Sequence, residues 1–136
     1  VLIMDIDRFK SINDTWGHNA GDLVLQQVTQ RLNSATRNTE RLYRFGGEEF
    51  IILLETTTTL AAQSAAERIR CSLADQDFQI SGQSVKVTVT GGLTEVQEHE
   101  GLHEIISRAD EAMYNAKQDG RNRIVSFRSL LTGHLH

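Results

Sequence analysis

The sequence predicts one α+β domain with a central, mostly antiparallel sheet flanked by helices. Two observations carry that expectation. The chain has 136 residues, the size of a single domain. Its segments switch between the two-residue period of strands and the three-to-four-residue period of helices, in the order β-α-β-β-α-β-α-β. Within that order the run β-α-β-β-α-β resembles the split βαβ, ferredoxin-like arrangement.

The elements follow in turn. Residues 1–6 are apolar on both faces, Val1 and Ile3 on one and Leu2, Met4 and Ile6 on the other, which predicts a central strand. Gly21 and Asp22 open a helix whose apolar stripe is Val24, Val28, Leu32 and Ala35. Residues 41–45 and 50–54 are two strands joined through Gly46, Gly47, Glu48 and Glu49, a predicted β-hairpin. Residues 60–73 carry Ala62, Ala66, Ile69 and Leu73 on one helical stripe. Val85, Val87 and Val89 alternate with Lys86, Thr88 and Thr90, as in a half-buried strand. Leu102, Ile105, Ile106, Ala109, Met113 and Ala116 trace a further helix that Gly120 stops. Residues 123–127 form a last strand, and residues 128–136 read as a polar tail.

Composition excludes several classes. Hydrophobic residues at 39% and charged residues at 24% are ordinary for a globular domain and argue against disorder. The net charge of −4 argues against a bulk electrostatic grip on nucleic acid or anionic lipid. Cys71 is the single cysteine, so no internal disulfide or cysteine zinc site is expected, and a reducing, cytoplasmic setting fits. No apolar run approaches the roughly 20 residues of a membrane span. No leader segment is expected, because residues 1–4 run straight into acid.

The chemistry collects at the ends of these elements. Asp5 and Asp7 stand at the end of the central strand, where they read either as metal ligands or as partners of an arginine or a helix cap. Glu48 and Glu49 follow two glycines at the hairpin bend; a hairpin beside the central strand brings a glutamate close to Asp5. Carboxylates without cysteine or histidine suit a hard cation, Mg²⁺ or Mn²⁺, which shares its other positions with substrate phosphates. Lys10 follows the acidic strand end, and Lys117 and Arg121 lie four apart beside Gly120. That pair reads either as a phosphate clamp or as capping cations of a helix C-terminus. Asn13, Asp14, His18 and Asp22 flank a glycine-bearing loop at 16–21. An amide and a carboxylate there can read the edge of guanine or serve turn and N-cap chemistry. The G-x-x-x-x-G-K-[ST] phosphate loop is absent.

Taken in order, these blocks resemble the GGDEF family, the diguanylate cyclases. The blocks are Asp5-Ile6-Asp7-Arg8-Phe9-Lys10-Ser11-Ile12-Asn13-Asp14, then Gly17-His18-Asn19-Ala20-Gly21-Asp22, then Arg44-Phe45-Gly46-Gly47-Glu48-Glu49-Phe50. Ala109-Asp110-Glu111-Ala112-Met113-Tyr114-Asn115-Ala116-Lys117 and Gly120-Arg121-Asn122 complete them. The signature reads GGEEF here, and the resemblance spans residues 1–127. It implies a palm-like fold similar to that of adenylyl cyclases and some polymerases. It implies that Asp5, Glu48 and the Ile6 carbonyl hold the metal, Glu48 being also the base. It implies that Lys10 stabilises the transition state, that Asn13, His18 and Asp22 hold guanine and ribose, and that Lys117 and Arg121 bind the terminal phosphates. Glu49 is either a further metal contact or a support for the turn, and Asp7 supports the loop. The implied reaction joins two GTP into cyclic di-GMP across a homodimer, releasing two pyrophosphates.

The departures set further expectations. Arg37-Asn38-Thr39-Glu40 stands where many members carry an arginine and an aspartate of an inhibitory product site, with Arg68 as a candidate third member. Gly91 is expected to loosen its strand. The family's domains carry an additional helix before the first strand, joined to an upstream sensor, so this domain is expected to lack it. The rival readings are a module that binds GTP or cyclic di-GMP without turnover, and a cyclase acting on another base, against which Asn13 and Asp22 argue.

Overall fold

In the computed structural model, residues 1–55 and 58–127 are described. The expected tail at 128–136 and Thr56 and Thr57 of the threonine run at 56–59 lie outside them. The elements are β1 (Leu2–Ile6), α1 (Phe9–Trp16), α2 (His18–Ala35), β2 (Glu40–Arg44), β3 (Glu49–Leu54), α3 (Thr59–Ala74), β4 (Phe78–Ile80), β5 (Gln83–Val85), β6 (Val89–Leu93), α4 (Leu102–Gln118) and β7 (Ile124–Ser126).

Five strands form one sheet in the order β2-β3-β1-β6-β7, antiparallel except for the β6–β7 edge. β1 and β2 run parallel with β3 inserted between them, which is the split βαβ arrangement expected from the element order. The central strand is buried on both faces as its apolar run requires. Leu2, Met4 and Ile6 join the core under α2 and α3 with Phe50, Val28 and Ile69, while Ile3 packs with Ala109 and Met113 of α4. Full burial of one such side chain stabilises by about 1.5–3 kcal/mol, so β1 is firmly held and a rigid base for whatever sits at its end.

Three sequence expectations are corrected. Helix α2 begins at His18 rather than Gly21, and the expected loop at 16–21 is helical apart from Gly17. Gly17 takes φ +90, a left-handed value that breaks one helical run into α1 and α2. The expected strand at 85–90 is two strands: β5 ends at Val85, residues 86–88 leave the ladder, and β6 starts at Val89. Val85 pairs with Phe78 in the small hairpin while Val89 pairs with Ile6 of β1, so the two halves of the expected strand serve different sheets; the Asp7 N–H to Thr88 carbonyl bond, at 2.9 Å, extends the β1 pairing by one residue. Gly91 does not loosen its strand. It is buried and pairs with Met4 on one side and Ile124 on the other.

A second sheet, β4–β5, was not read from the sequence. Ser81 and Gly82 at its bend both have positive φ, the primed turn of a two-residue hairpin. That Ser-Gly pair between short alternating runs was the available signal. Arg31 fixes this hairpin to α2, its guanidinium 3.8 Å above the Phe78 ring and donating to the Gln76 and Asp77 carbonyls.

Candidate active site

The site grows from the end of β1. Asp5 pairs across the sheet with Glu49 on β3 and Thr90 on β6. Directly opposed residues share a face, so Asp5 and Glu49 both face the α4 side, where Lys117 meets them. The Lys117 ammonium donates to Asp5 Oδ2 at 2.7 Å. Asp5 Oδ1 is buried and has no hydrogen-bond partner among the described residues. The next residue, Ile6, donates its N–H to the Glu48 carbonyl at 3.2 Å, which sets the glutamate of the hairpin tip beside the strand end. Gly46, at φ +80, makes the bend, and Arg44 clamps it by donating to the Gly47 carbonyl from Nη2 at 2.8 Å. The role of Arg44 was not read from the sequence.

Negative charge accumulates here. Burial, then Asp5 and Asp110, push the Glu49 carboxyl above its usual range, with Lys117 opposing. Burial likewise raises Asp110, again against the pull of Lys117 and with the help of Asp5. Asp110, one of the residues the sequence reading missed as part of this site, lies two turns before Lys117 on α4. An unpartnered buried carboxylate oxygen among mutually repelling acids fits a cation. Among the described residues no three acid, histidine or cysteine side chains form a ready-made metal cage. The donor set therefore fits a divalent ion that takes one or two carboxylates and receives its remaining ligands from phosphates and water.

The raised Glu49 carboxyl has a measurable consequence. A carboxyl that holds its proton more tightly in the fold favours folding in acid and disfavours it once ionised. Glu49→Gln is expected to raise the Tm at pH 7 without divalent ions by roughly 1–4 °C, a modest gain because the group is half-exposed. The gain should disappear as pH falls below the ordinary value of 4.5. Thermal melts of both proteins between pH 4 and 8 check this.

Asp7 has partners of its own. Its Oδ1 accepts from Thr90 Oγ1 at 2.5 Å and its Oδ2 from Thr88 Oγ1 at 2.7 Å and from the Asn122 N–H at 3.0 Å. The β1–α1 turn, β6 and the turn after α4 are thereby tied together. Arg121, beside Asn122, lies in the turn after α4 at φ 64, while Lys117 is in the last turn of the helix. Lys10 is exposed on the first turn of α1, and His18 and Asp22 are exposed on the first turns of α2. Asn13 lies against Gly21, where a β-carbon would fall on its amide oxygen. Helices α1 and α2 thus approach this closely because residue 21 has no side chain.

Arg37, Glu40 and Arg68 are brought together around a separate cavity of about 510 Å³. The Glu40 carboxylate is already engaged, accepting from Arg68 and, at 2.9 Å, from the Arg37 N–H. Among the described residues no helix is long and apolar enough to cross a membrane.

Known proteins resemble this chain over most of its length. The model of the family described as diguanylate cyclase, GGDEF domain, matches residues 1–123. Diguanylate cyclase A of Treponema denticola is 45% identical over 125 residues, covering 91% of this chain and 34% of that protein. The chain therefore spans about a third of the length of that relative. The GGDEF domain of DgcB from Caulobacter crescentus, solved in complex with c-di-GMP, superposes with a TM-score of 0.87 at 31% identity, covering 93% of this chain and 76% of that one. The active GGEEF domain of a diguanylate cyclase from Vibrio cholerae superposes with a TM-score of 0.80 at 35% identity, covering 93% and 80%. With its palm-like α+β fold and its GGEEF hairpin, the chain belongs to the GGDEF family of diguanylate cyclase domains.

Proposed function

We propose that this domain condenses two GTP into cyclic di-GMP as half of a homodimer. The observation that carries the reading is the meeting of Asp5, with its partnerless buried oxygen, and the GGEEF tip at the end of the central strand β1. The 3′-hydroxyl of one GTP attacks the α-phosphate of the other; a P–O bond forms and pyrophosphate leaves, and the reciprocal step closes the ring. Each domain holds one GTP, so two must face each other, brought together by an upstream sensor. Positioning and charge neutralisation do most of the work in such an in-line transfer.

A divalent ion, Mg²⁺ or Mn²⁺, held by Asp5, Glu48 and the Ile6 carbonyl would supply neutralisation of the phosphates and a lowered pKa for the hydroxyl. Glu48 accepts the proton of the attacking hydroxyl. Lys10 and Arg121 bind phosphate oxygens. Lys117 neutralises Asp5 here and reaches phosphate by rotation of its own four-carbon stem. Asn13 and Asp22 take the guanine edge, and His18 the ribose. Glu48→Gln removes the base while keeping the shape of the turn. It is expected to abolish cyclic di-GMP formation with an unchanged thermal melt; turnover near wild type in that variant would overturn the role.

Gly21 gives a test of the base pocket. Gly21→Ala displaces the Asn13 amide. It is expected to weaken GTP affinity about tenfold, the worth of one or two hydrogen bonds, with little change in kcat. Steady-state kinetics check the split.

A further inference from the structure

We propose that a cavity behind α1 binds a polyphosphate anion at a second site that shares only Arg121 with the GTP site. The cavity, about 400 Å³, lies between α1, residues 86–88 and the turn after α4. That is a size suited to a small molecule. Arg8, Lys86 and Arg121 line it.

Three observations point to an anion. The first is uncompensated charge. Arg31, Arg44, Arg68 and Arg108 donate to carbonyls or carboxylates. The side chains of Arg8, Lys86 and Arg121 have no hydrogen bond or ion pair among the described residues. The second is the state of the cavity's one acid. Asp7 accepts from Thr88, Thr90 and the Asn122 N–H and forms no ion pair with Arg8, Lys86 or Arg121 among the described residues, so three cations face one carboxylate. In a chain of net charge −4 this leaves a local positive basin. The third is backbone conformation. Arg8, Arg121 and Asn122 are all left-handed, at φ 55, 64 and 47, and all three line this one cavity. Such conformations in residues other than glycine cluster at binding sites.

The site is separate from the one already described. Asp5, Asn13, Asp22 and Lys117 do not line it. Ser11 and Thr15, on the α1 face that does line it, add hydroxyl donors, and Trp16 forms part of the wall. Three cations and two hydroxyls suit two or more linked phosphates, as in free pyrophosphate or the terminal phosphates of a nucleotide. Because Arg121 cannot serve both sites at once, occupation should compete with GTP. That consequence rests on the proposed cyclase reading; the binding itself does not.

Trp16 is the one tryptophan in the sequence, so its fluorescence reports on this wall. The full chain, free of divalent ions, is titrated with inorganic pyrophosphate, followed by Trp16 fluorescence and by calorimetry. Saturable binding is expected. Lys86→Gln and Arg8→Asn should each weaken it about tenfold, the loss of one charge-assisted hydrogen bond. Asparagine is chosen at position 8 because it tolerates the left-handed region. Lys117→Ala should leave it within about twofold. Two results would overturn the proposal: no saturable binding at millimolar pyrophosphate, or binding lost in Lys117→Ala and intact in both Lys86→Gln and Arg8→Asn, which puts the anion in the GTP site. A parallel titration with ATP separates the sources. Tighter, Lys86-dependent ATP binding identifies a nucleotide as the ligand, and the reverse order identifies pyrophosphate. Failure to make cyclic di-GMP would leave this result standing, since no turnover is read.

Discussion

Asp5→Asn is expected to lower cyclic di-GMP formation by roughly 10²–10³-fold or more, the scale set by removing one preorganised charge from a reacting centre. The substitution keeps the shape of a side chain that is mostly buried at the end of β1. It removes the charge that holds Lys117 at 2.7 Å and that the proposed cation would meet at the partnerless Oδ1. The neighbouring packing of Ile3 and Met4 is untouched, so the domain should stay folded. Product chromatography with a parallel thermal melt checks both halves. Turnover within about tenfold of wild type would show that this carboxylate is not part of the reacting centre.

Gly92→Ala is expected to be the most destabilising conservative change in the sheet, at about 2–4 kcal/mol and a fall in Tm of roughly 10 °C. A β-carbon there would lie 2.5 Å from the Met113 nitrogen and would overlap the Ala109 carbonyl, both backbone atoms of α4. The helix cannot yield by turning a side chain; it must lift from β6. Because α4 carries Lys117 and Asp110, the same change should reduce activity beyond what its stability loss explains. Chemical denaturation and specific activity of the folded fraction test the two effects. A loss below about 1 kcal/mol would mean that α4 is not packed this closely.

Much of this was legible in the sequence, and the physical reasons are specific. Residues 1–6 are apolar on both faces, the pattern of a strand covered on both sides of a sheet. The two glycines of 46–47 sit between alternating runs, so the hairpin and its acids could be read directly. Helix α4 shows its apolar stripe and its glycine stop. The misreadings arose where one residue changes the path of the chain. Gly17 divides a helical run that an apolar pattern alone begins later, because the residues before Val24 are mostly polar. The alternation at 85–90 belongs by pattern to one strand, yet Val85 pairs with Phe78 and Val89 with Ile6, partners in two different sheets. The seat of Lys117 beside Asp5 spans 112 positions and could not be read from spacing. Asp110 joined the site for the same reason. The basic cavity draws on α1, residues 86–88 and the turn after α4, so no motif announces it.

The most direct test of the central claim is the product of the reaction. The full-length protein is incubated with GTP and Mg²⁺ and the nucleotides are resolved by chromatography. The account predicts cyclic di-GMP, with two pyrophosphates released for each molecule formed and no product from Glu48→Gln. GTP that is bound and recovered unchanged under dimer-forming conditions would contradict it, and would make this domain a nucleotide-binding module instead.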